Sequence, residues 1–182
     1  LNTSILSFVK LAENKLTFAE IDVYDLFFHI KKYKREIDTN LDIFVAKFDE
    51  ENPTLKTNKF LLSSSEVRIH NSKFLLTDEN LNNPKVLDLQ TLNLSTSDFL
   101  ILGADVTTSI TGLSFVDSRG AQMENLQTDF SYSLTKMTFE QLKMKSPRSL
   151  LSGRLQFDYD RADFKDFLKK VKISGLFKNS TV

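Results

Sequence analysis

The chain has 182 residues, enough for one sizeable domain with a core, and 41% of them are hydrophobic, so nothing in the composition argues for disorder. Lys plus Arg and Asp plus Glu each total 24, so the formal net charge is zero. That balance argues against nucleic acid as a partner and gives no general pull toward an anionic membrane.

Cysteine is absent, which removes disulfides, a thiol nucleophile and thiolate metal sites, and suits cytosol and a bacterial periplasm equally. No apolar run approaches the roughly 18 residues of a membrane helix, and no signal peptide opens the chain. Because it begins with Leu1, the sequence is read as a piece of a longer protein. Phe numbers 16 against Tyr 4 and Trp 0, which predicts a dry interior, since Phe needs no hydrogen-bond partner.

In chain order, Ile5 to Leu11, Leu16 to Phe18 and Val23 to Tyr33 read as strands. The unbroken Phe27-Phe28-His29-Ile30 predicts burial on both faces. Leu41, Phe44, Val45 and Phe48 then fall at helical spacing, with Thr39 as cap and Asp42 completing a capping-box start. A polar loop follows from Asp49 to Asn58, so residues 1–59 form strands plus a short helix and loop.

Residues 60–182 read as stacked β units. Phe60 to Ser63, Val67 to Ile69 and Phe74 to Thr77 are strands, with Asn71-Ser72 as a turn and Asp78 to Pro84 as a loop. Leu87 and Leu89 hold one alternation phase while Leu92 and Leu94 hold the other, which places a bulge or turn near Gln90-Thr91. Phe99-x-Ile101, Val106-x-Thr108-x-Ile110 and Leu113-x-Phe115 continue a meander to a turn at Asp117 to Gly120. A second phase slip separates Met137-x-Phe139 from Leu142-x-Met144, and Ser146-Pro147 breaks the chain.

The clearest alternation comes three times, over Leu126 to Leu134, Leu151 to Tyr159 and Val171 to Phe177. Each run makes a strand with one greasy and one wet face. A second short helix is expected near 161–169, capped by Asp160, with Phe164, Phe167, Leu168 and Val171 as its stripe. The reading is all-β: one elongated antiparallel sheet of about ten strands, roughly 50 Å across, with two short accessory helices; periodicity alone does not choose between a sheet that pairs with a second one, one that closes, and one that folds over into an open hydrophobic groove. Residues 1–182 count as one segment.

No catalytic constellation emerges. His29 reads as tethered and His70 as solvated, with no carboxylate set at metal-ligand spacing. The acid pairs Asp22/Asp25, Asp78-Glu79 and Asp158/Asp160 read as solvated. The basic cluster at Lys31 to Arg35, flanked by acids, reads as a solvated strand end, and it and Lys169 to Lys172 are both able to touch lipid headgroups. Glycine-rich phosphate loops and a nucleophile elbow are missing. The expectation is no enzyme, no cofactor and no metal.

Val67-Arg68-Ile69-His70-Asn71-Ser72-Lys73-Phe74-Leu75-Leu76-Thr77-Asp78 resembles the V-x-I-x-N/D-G-x-L-x-L-x-D repeat unit of AsmA-like proteins, with Ser72 where Gly is usual. Phe115 to Gly120 with Met123 to Leu126 looks like the strand-turn-strand before the next unit. Pro147-Arg148-Ser149-Leu150-Leu151-Ser152-Gly153-Arg154-Leu155 is similar to the P-x-S-x-L-x-G-x-L step of the TamB branch, and Asn40-Leu41 with Phe44 and Phe48 looks like a short helix of its Bacteroidetes type. The resemblance implies a long periplasmic protein anchored to the inner membrane through a segment outside this chain. It also implies a taco-shaped β-groove for phospholipid movement and outer-membrane biogenesis, with a TamA-like barrel of the BamA superfamily as partner of another part of the full-length chain.

The expected groove lining for phospholipid acyl chains is Leu87, Leu89, Phe99, Ile101, Leu126, Phe130, Tyr132, Leu134, Leu151, Leu155, Phe157 and Tyr159. Two rival readings stand beside it. One is a protein-interaction scaffold that receives strands at its edges and aids outer-membrane protein assembly. The other is a closed β-domain with an enzymatic pocket.

Overall fold

The computed structural model describes residues 15–43, 60–160 and 171–181. They form one open nine-stranded sheet: β1 (Lys15–Tyr24), β2 (Phe27–Lys32), β3 (Leu61–Asp78), β4 (Lys85–Leu102), β5 (Asp105–Asp117), β6 (Gln122–Tyr132), β7 (Lys136–Lys145), β8 (Leu150–Asp158) and β9 (Lys172–Phe177). The order across the sheet is β1-β3-β4-β5-β6-β7-β8-β9, with β2 following β1 along the same side of β3. Each strand contacts only its hydrogen-bonded neighbours, so no second layer of strands stands on either face among the described residues. The all-β open sheet read from the sequence is the fold observed.

The sheet is not antiparallel throughout, because β1 and β2 both run parallel to β3. Three short strands expected from Phe60 to Thr77 are one 18-residue strand, β3. Asn71 is not a turn but a bulge with φ 46°, and the chain continues straight past it. Conversely, Val23 to Tyr33 is broken at Asp25, φ 54°, which separates β1 from β2. These two kinks are matched: Asn71 Nδ2 donates to Asp25 Oδ1 at 2.7 Å, and the Leu26 amide donates to Ser72 Oγ at 3.0 Å.

The burial expected for Phe27 to Ile30 is overturned. Among the described residues β2 has β3 on one side only, and Phe27 and Phe28 are 59% and 43% exposed. His29 is tethered as read, with Nε2 2.9 Å from Thr77 Oγ1. His70 is half-buried rather than solvated: its ring stacks on Tyr24 at 4.5 Å, and its Nε2 lies 3.3 Å from Asp22 Oδ1.

Two sequence signals of a different kind hold. The phase slips near Gln90-Thr91 and between Phe139 and Leu142 are bulges, with Thr91 at φ 48° and Gln141 at φ 51°. The capping box is formed: the Asp42 amide donates to Thr39 Oγ1 at 3.1 Å and the Thr39 amide to Asp42 Oδ2 at 2.9 Å. It opens a helical turn at 40–43. The Ile5 to Leu11 strand, the rest of that helix and its loop, and the helix near 161–169 lie outside the described residues.

Candidate functional site

Directly opposed residues on neighbouring strands share a face. Followed across the sheet, the registers therefore generate a line: Leu16, Leu62, Ile101, Val106, Tyr132, Met137, Phe157 and Ile173. All eight are apolar or aromatic. The line one residue along, on the other face, is Thr17, Ser63, Leu100, Thr107, Ser131, Thr138, Gln156 and Ser174, and only Leu100 in it is apolar. At about 4.8 Å per strand, each line is roughly 34 Å long.

The apolar face continues beyond this line. Phe130, Phe139 and Leu155 are opposed, with the rings of Phe130 and Phe139 5.2 Å apart and Phe139 6.0 Å from Phe157. Farther along the strands, Val23, Ile69, Leu94, Leu113, Leu126, Met144 and Leu151 form a second line over seven strands. Phe28, Phe74 and Leu89 are opposed at one corner, as are Ile30, Leu76 and Leu87.

The bulges are what keep this face apolar. In β4, Phe99 and Ile101 are followed toward the N-terminus by polar Ser97, Ser95 and Asn93 at the same parity. Asp98, φ 53°, inserts one residue and moves Thr96, Leu94 and Leu92 onto the apolar face. Thr91 inserts another and restores Leu89 and Leu87. Asn71 does the same in β3 and Gln141 in β7.

A bulge leaves a backbone carbonyl without its ladder partner, and on an apolar surface that is costly. At each of these four residues the preceding carbonyl accepts a hydroxyl, and that of His70 also accepts the Asp25 amide at 3.0 Å. Ser72 Oγ donates to His70 O at 2.9 Å, Thr91 Oγ1 to Gln90 O at 2.8 Å, Thr108 Oγ1 to Ser97 O at 2.9 Å, and Thr128 Oγ1 to Glu140 O at 2.7 Å. Ser72, Thr108 and Thr128 thus sit in the apolar wall as seals, while Thr91 closes its own bulge from an exposed position.

The opposite face carries the charges. Arg68 binds three carboxylates, with Nε 2.7 Å from Asp22 Oδ1, Nη2 2.8 Å from Glu20 Oε2 and Nη1 2.7 Å from Glu66 Oε2. The Arg68 bonds, helped by His70, lower the Asp22 pKa to about 2. Glu140 pairs with Arg154 at 2.8 Å. The Asp78-Glu79 pair is engaged rather than free, with Glu79 2.7 Å from Lys31 and Asp78 3.9 Å from Lys32, so the Lys31 to Arg35 cluster is partly neutralised. No group of three or more His, Cys, Asp or Glu able to hold a metal is present among the described residues.

Of the twelve residues expected to line the groove, ten fall on the apolar face: Leu87, Leu89, Phe99, Ile101, Leu126, Phe130, Tyr132, Leu151, Leu155 and Phe157. Tyr159 lies just past β8 and is buried, its hydroxyl donating to Ser133 O at 2.9 Å and its ring 6.4 Å from Tyr132. That burial pushes the phenol pKa up. Leu134 is a correction. β6 ends at Tyr132, and Leu134 sits in the turn before β7, 40% exposed. The sequence reading missed Leu16, Leu62, Val106, Met137, Phe139 and Ile173 as members of the same face, because short strands read singly carry no cross-strand register.

Shallow concavities at the β5–β6 and β7–β8 turns, bordered by Phe115, Gln122 and Met123 and by Pro147 and Arg148, share no residue with the eight-residue line. No family model, curated protein or solved structure matches the chain.

Proposed function

We propose that this sheet is a wall for hydrocarbon chains, sheltering phospholipid acyl tails along its apolar face as part of a longer bridge of the TamB kind. The observation that carries the reading is the pair of adjacent cross-strand lines, one wholly apolar and one almost wholly polar. A sheet of this kind inside a sandwich needs a partner sheet, and the described strands provide none.

The chemistry suits a sliding chain. Each methylene removed from water contributes about 0.8 kcal/mol, so a tail is held strongly in sum. The contact has no direction, so translation along the wall breaks no specific bond. The sealed bulge carbonyls offer the tail no hydrogen-bonding group to lodge against. In this reading the segment catalyses nothing and needs no cofactor. The periplasmic setting, the inner-membrane anchor and a TamA-like barrel partner belong to the same proposal through the sequence resemblance.

The test is photo-crosslinking in cells from a probe residue at Phe130, Phe139 or Leu155, with Thr138 and Gln156 on the polar face as controls. Lipid captured from the first set and not from the second supports the wall. Capture of protein alone, or equal capture from both faces, rejects it.

A further inference from the structure

We infer that the wall orients its lipid, with the lipid phosphate seated on Arg148 at the β7–β8 turn and the tails running along the strands toward Tyr132 and Phe157. This deepens the hydrocarbon-wall reading and rests on it.

The two ends of the strands differ in charge. At the Leu151 end, the β5–β6 turn (residues 118–121) and the β7–β8 turn (residues 146–149) each carry one arginine and no acid. The β3–β4 turn at the same end has one charge, Glu79, which Lys31 holds at 2.7 Å. At the opposite end, the β4–β5 turn (residues 103–104) and the β6–β7 turn (residues 133–135) carry no charge. Arg119 is taken by Asp117, with Nε 2.7 Å from Oδ1. The Arg148 side chain is exposed and makes no ion pair or hydrogen bond among the described residues. These rims are hairpin turns closed within the chain, so strands added at either edge of the sheet leave them as they are.

Arg148 borders a seat. The concavity between the two arginine-bearing turns is lined by Gly120, Ala121, Gln122, Ser146, Pro147 and Arg148. Ser146 Oγ accepts the Ser149 amide at 3.0 Å and keeps its own hydrogen to donate. The Gln122 side chain makes no hydrogen bond among the described residues. A guanidinium, an amide and a hydroxyl around one hollow, with no acid among them, match the oxygens of a phosphodiester.

The wall beside this seat has the length of a tail. Leu151 follows the turn by two residues, and Leu151, Gly153, Leu155 and Phe157 share the apolar face of β8. From Leu151 to Phe157 the strand covers about 20 Å, against about 15 Å for the tails of one bilayer leaflet. The reverse orientation would set the phosphate at the uncharged β6–β7 turn, beside Leu134 and a Tyr159 hydroxyl already donated to Ser133 O at 2.9 Å. An anion there has no countercharge in the turn.

The experiment loads the 182-residue chain from detergent micelles holding equal amounts of phosphatidylglycerol and diacylglycerol with identical tails, and reads the bound lipid by mass spectrometry. The net charge of zero gives no general pull on the anionic lipid. Wild type should take up phosphatidylglycerol over diacylglycerol by about fivefold, the range an exposed ion pair supplies. Arg148→Glu should bring the ratio to unity or below with an unchanged circular dichroism spectrum. A photoreactive group in the lipid headgroup should label residues 120–122 and 146–149 and not 133–135. Excess inorganic phosphate, at ionic strength matched with chloride, should leave the ratio in place; its loss marks a site for free phosphate and overturns the inference. Equal uptake of both lipids by wild type, a preference that survives in Arg148→Glu, or headgroup labelling at 133–135 also overturns it and leaves the wall standing. Uptake of neither lipid rejects the wall itself, and the inference with it.

Discussion

The Thr128 hydroxyl donates a 2.7 Å hydrogen bond to the carbonyl of Glu140, the residue just before Gln141 and its φ of 51°. That bond lets β7 shift phase without exposing a bare carbonyl on the apolar wall. Replacing Thr128 with valine keeps the shape and removes the donor. We expect a loss of about 1–3 kcal/mol in urea unfolding, the cost of a buried acceptor left unmade. Thr96 makes the opposite case. It is 3% exposed against 4% for Thr128, yet its Oγ1 has no hydrogen-bond partner among the described residues. Thr96→Val is expected to be neutral or stabilising in the same assay, so only the Thr128→Val variant should lower the midpoint.

Leu155 stands opposite Phe139 on the apolar wall. Leu155→Arg puts a charge there, and lipid co-purifying with the chain, read by mass spectrometry, should fall several-fold. Gln156→Arg, one residue along on the polar face, should leave lipid content unchanged. Equal loss in both variants counts against the wall.

The Arg68 cluster predicts a pH signature. Asp22 is ionised in the folded chain down to about pH 2, below its ordinary range near 3.9. A lowered folded-state pKa gives stability that is fully present above the unfolded pKa and is lost as pH falls through the folded one. Wild type should therefore lose stability between about pH 4 and pH 2. In Arg68→Met this contribution is absent, and the gap between the two chains should close near pH 2 in thermal melts taken across that range.

Gly153 holds β9 close. A Cβ there would collide with the Leu176 carbonyl oxygen, a backbone atom that cannot swing aside. Gly153→Ala should cost about 1–3 kcal/mol through overpacking, and hydrogen exchange of the β9 amides should rise before that of β4 or β5. At Gly175 the obstacle is the Phe177 ring at 2.8 Å, which can rotate, so Gly175→Ala should be milder.

Alternation within Leu126 to Tyr132 and Leu151 to Tyr159 made six members of the apolar face legible, Leu126, Phe130, Tyr132, Leu151, Leu155 and Phe157, because side-chain direction along one strand is a local property. The slips at Thr91 and Gln141 were legible for the same reason, as apolar residues change parity across them. Asn71 was not, since a polar residue in the left-handed region looks alike in a turn and in a bulge. Whether the chain reverses there depends on β4, which keeps pairing beyond it through Ser72 and Phe74. Leu134 continued the alternation in sequence, but β6 had already ended at Tyr132.

The amino-acid order alone determined that this chain makes strands with one dry and one wet side, since period-two patterning follows from backbone geometry. Only the tertiary structure decided the rest. It set β1 and β2 parallel to β3, aligned Leu16 through Ile173 into one line, and gave the carbonyls before Asn71, Thr91, Asp98 and Gln141 a hydroxyl from the same or a neighbouring strand. Register and strand order are settled by hydrogen bonds between segments distant in sequence, and no local pattern encodes them.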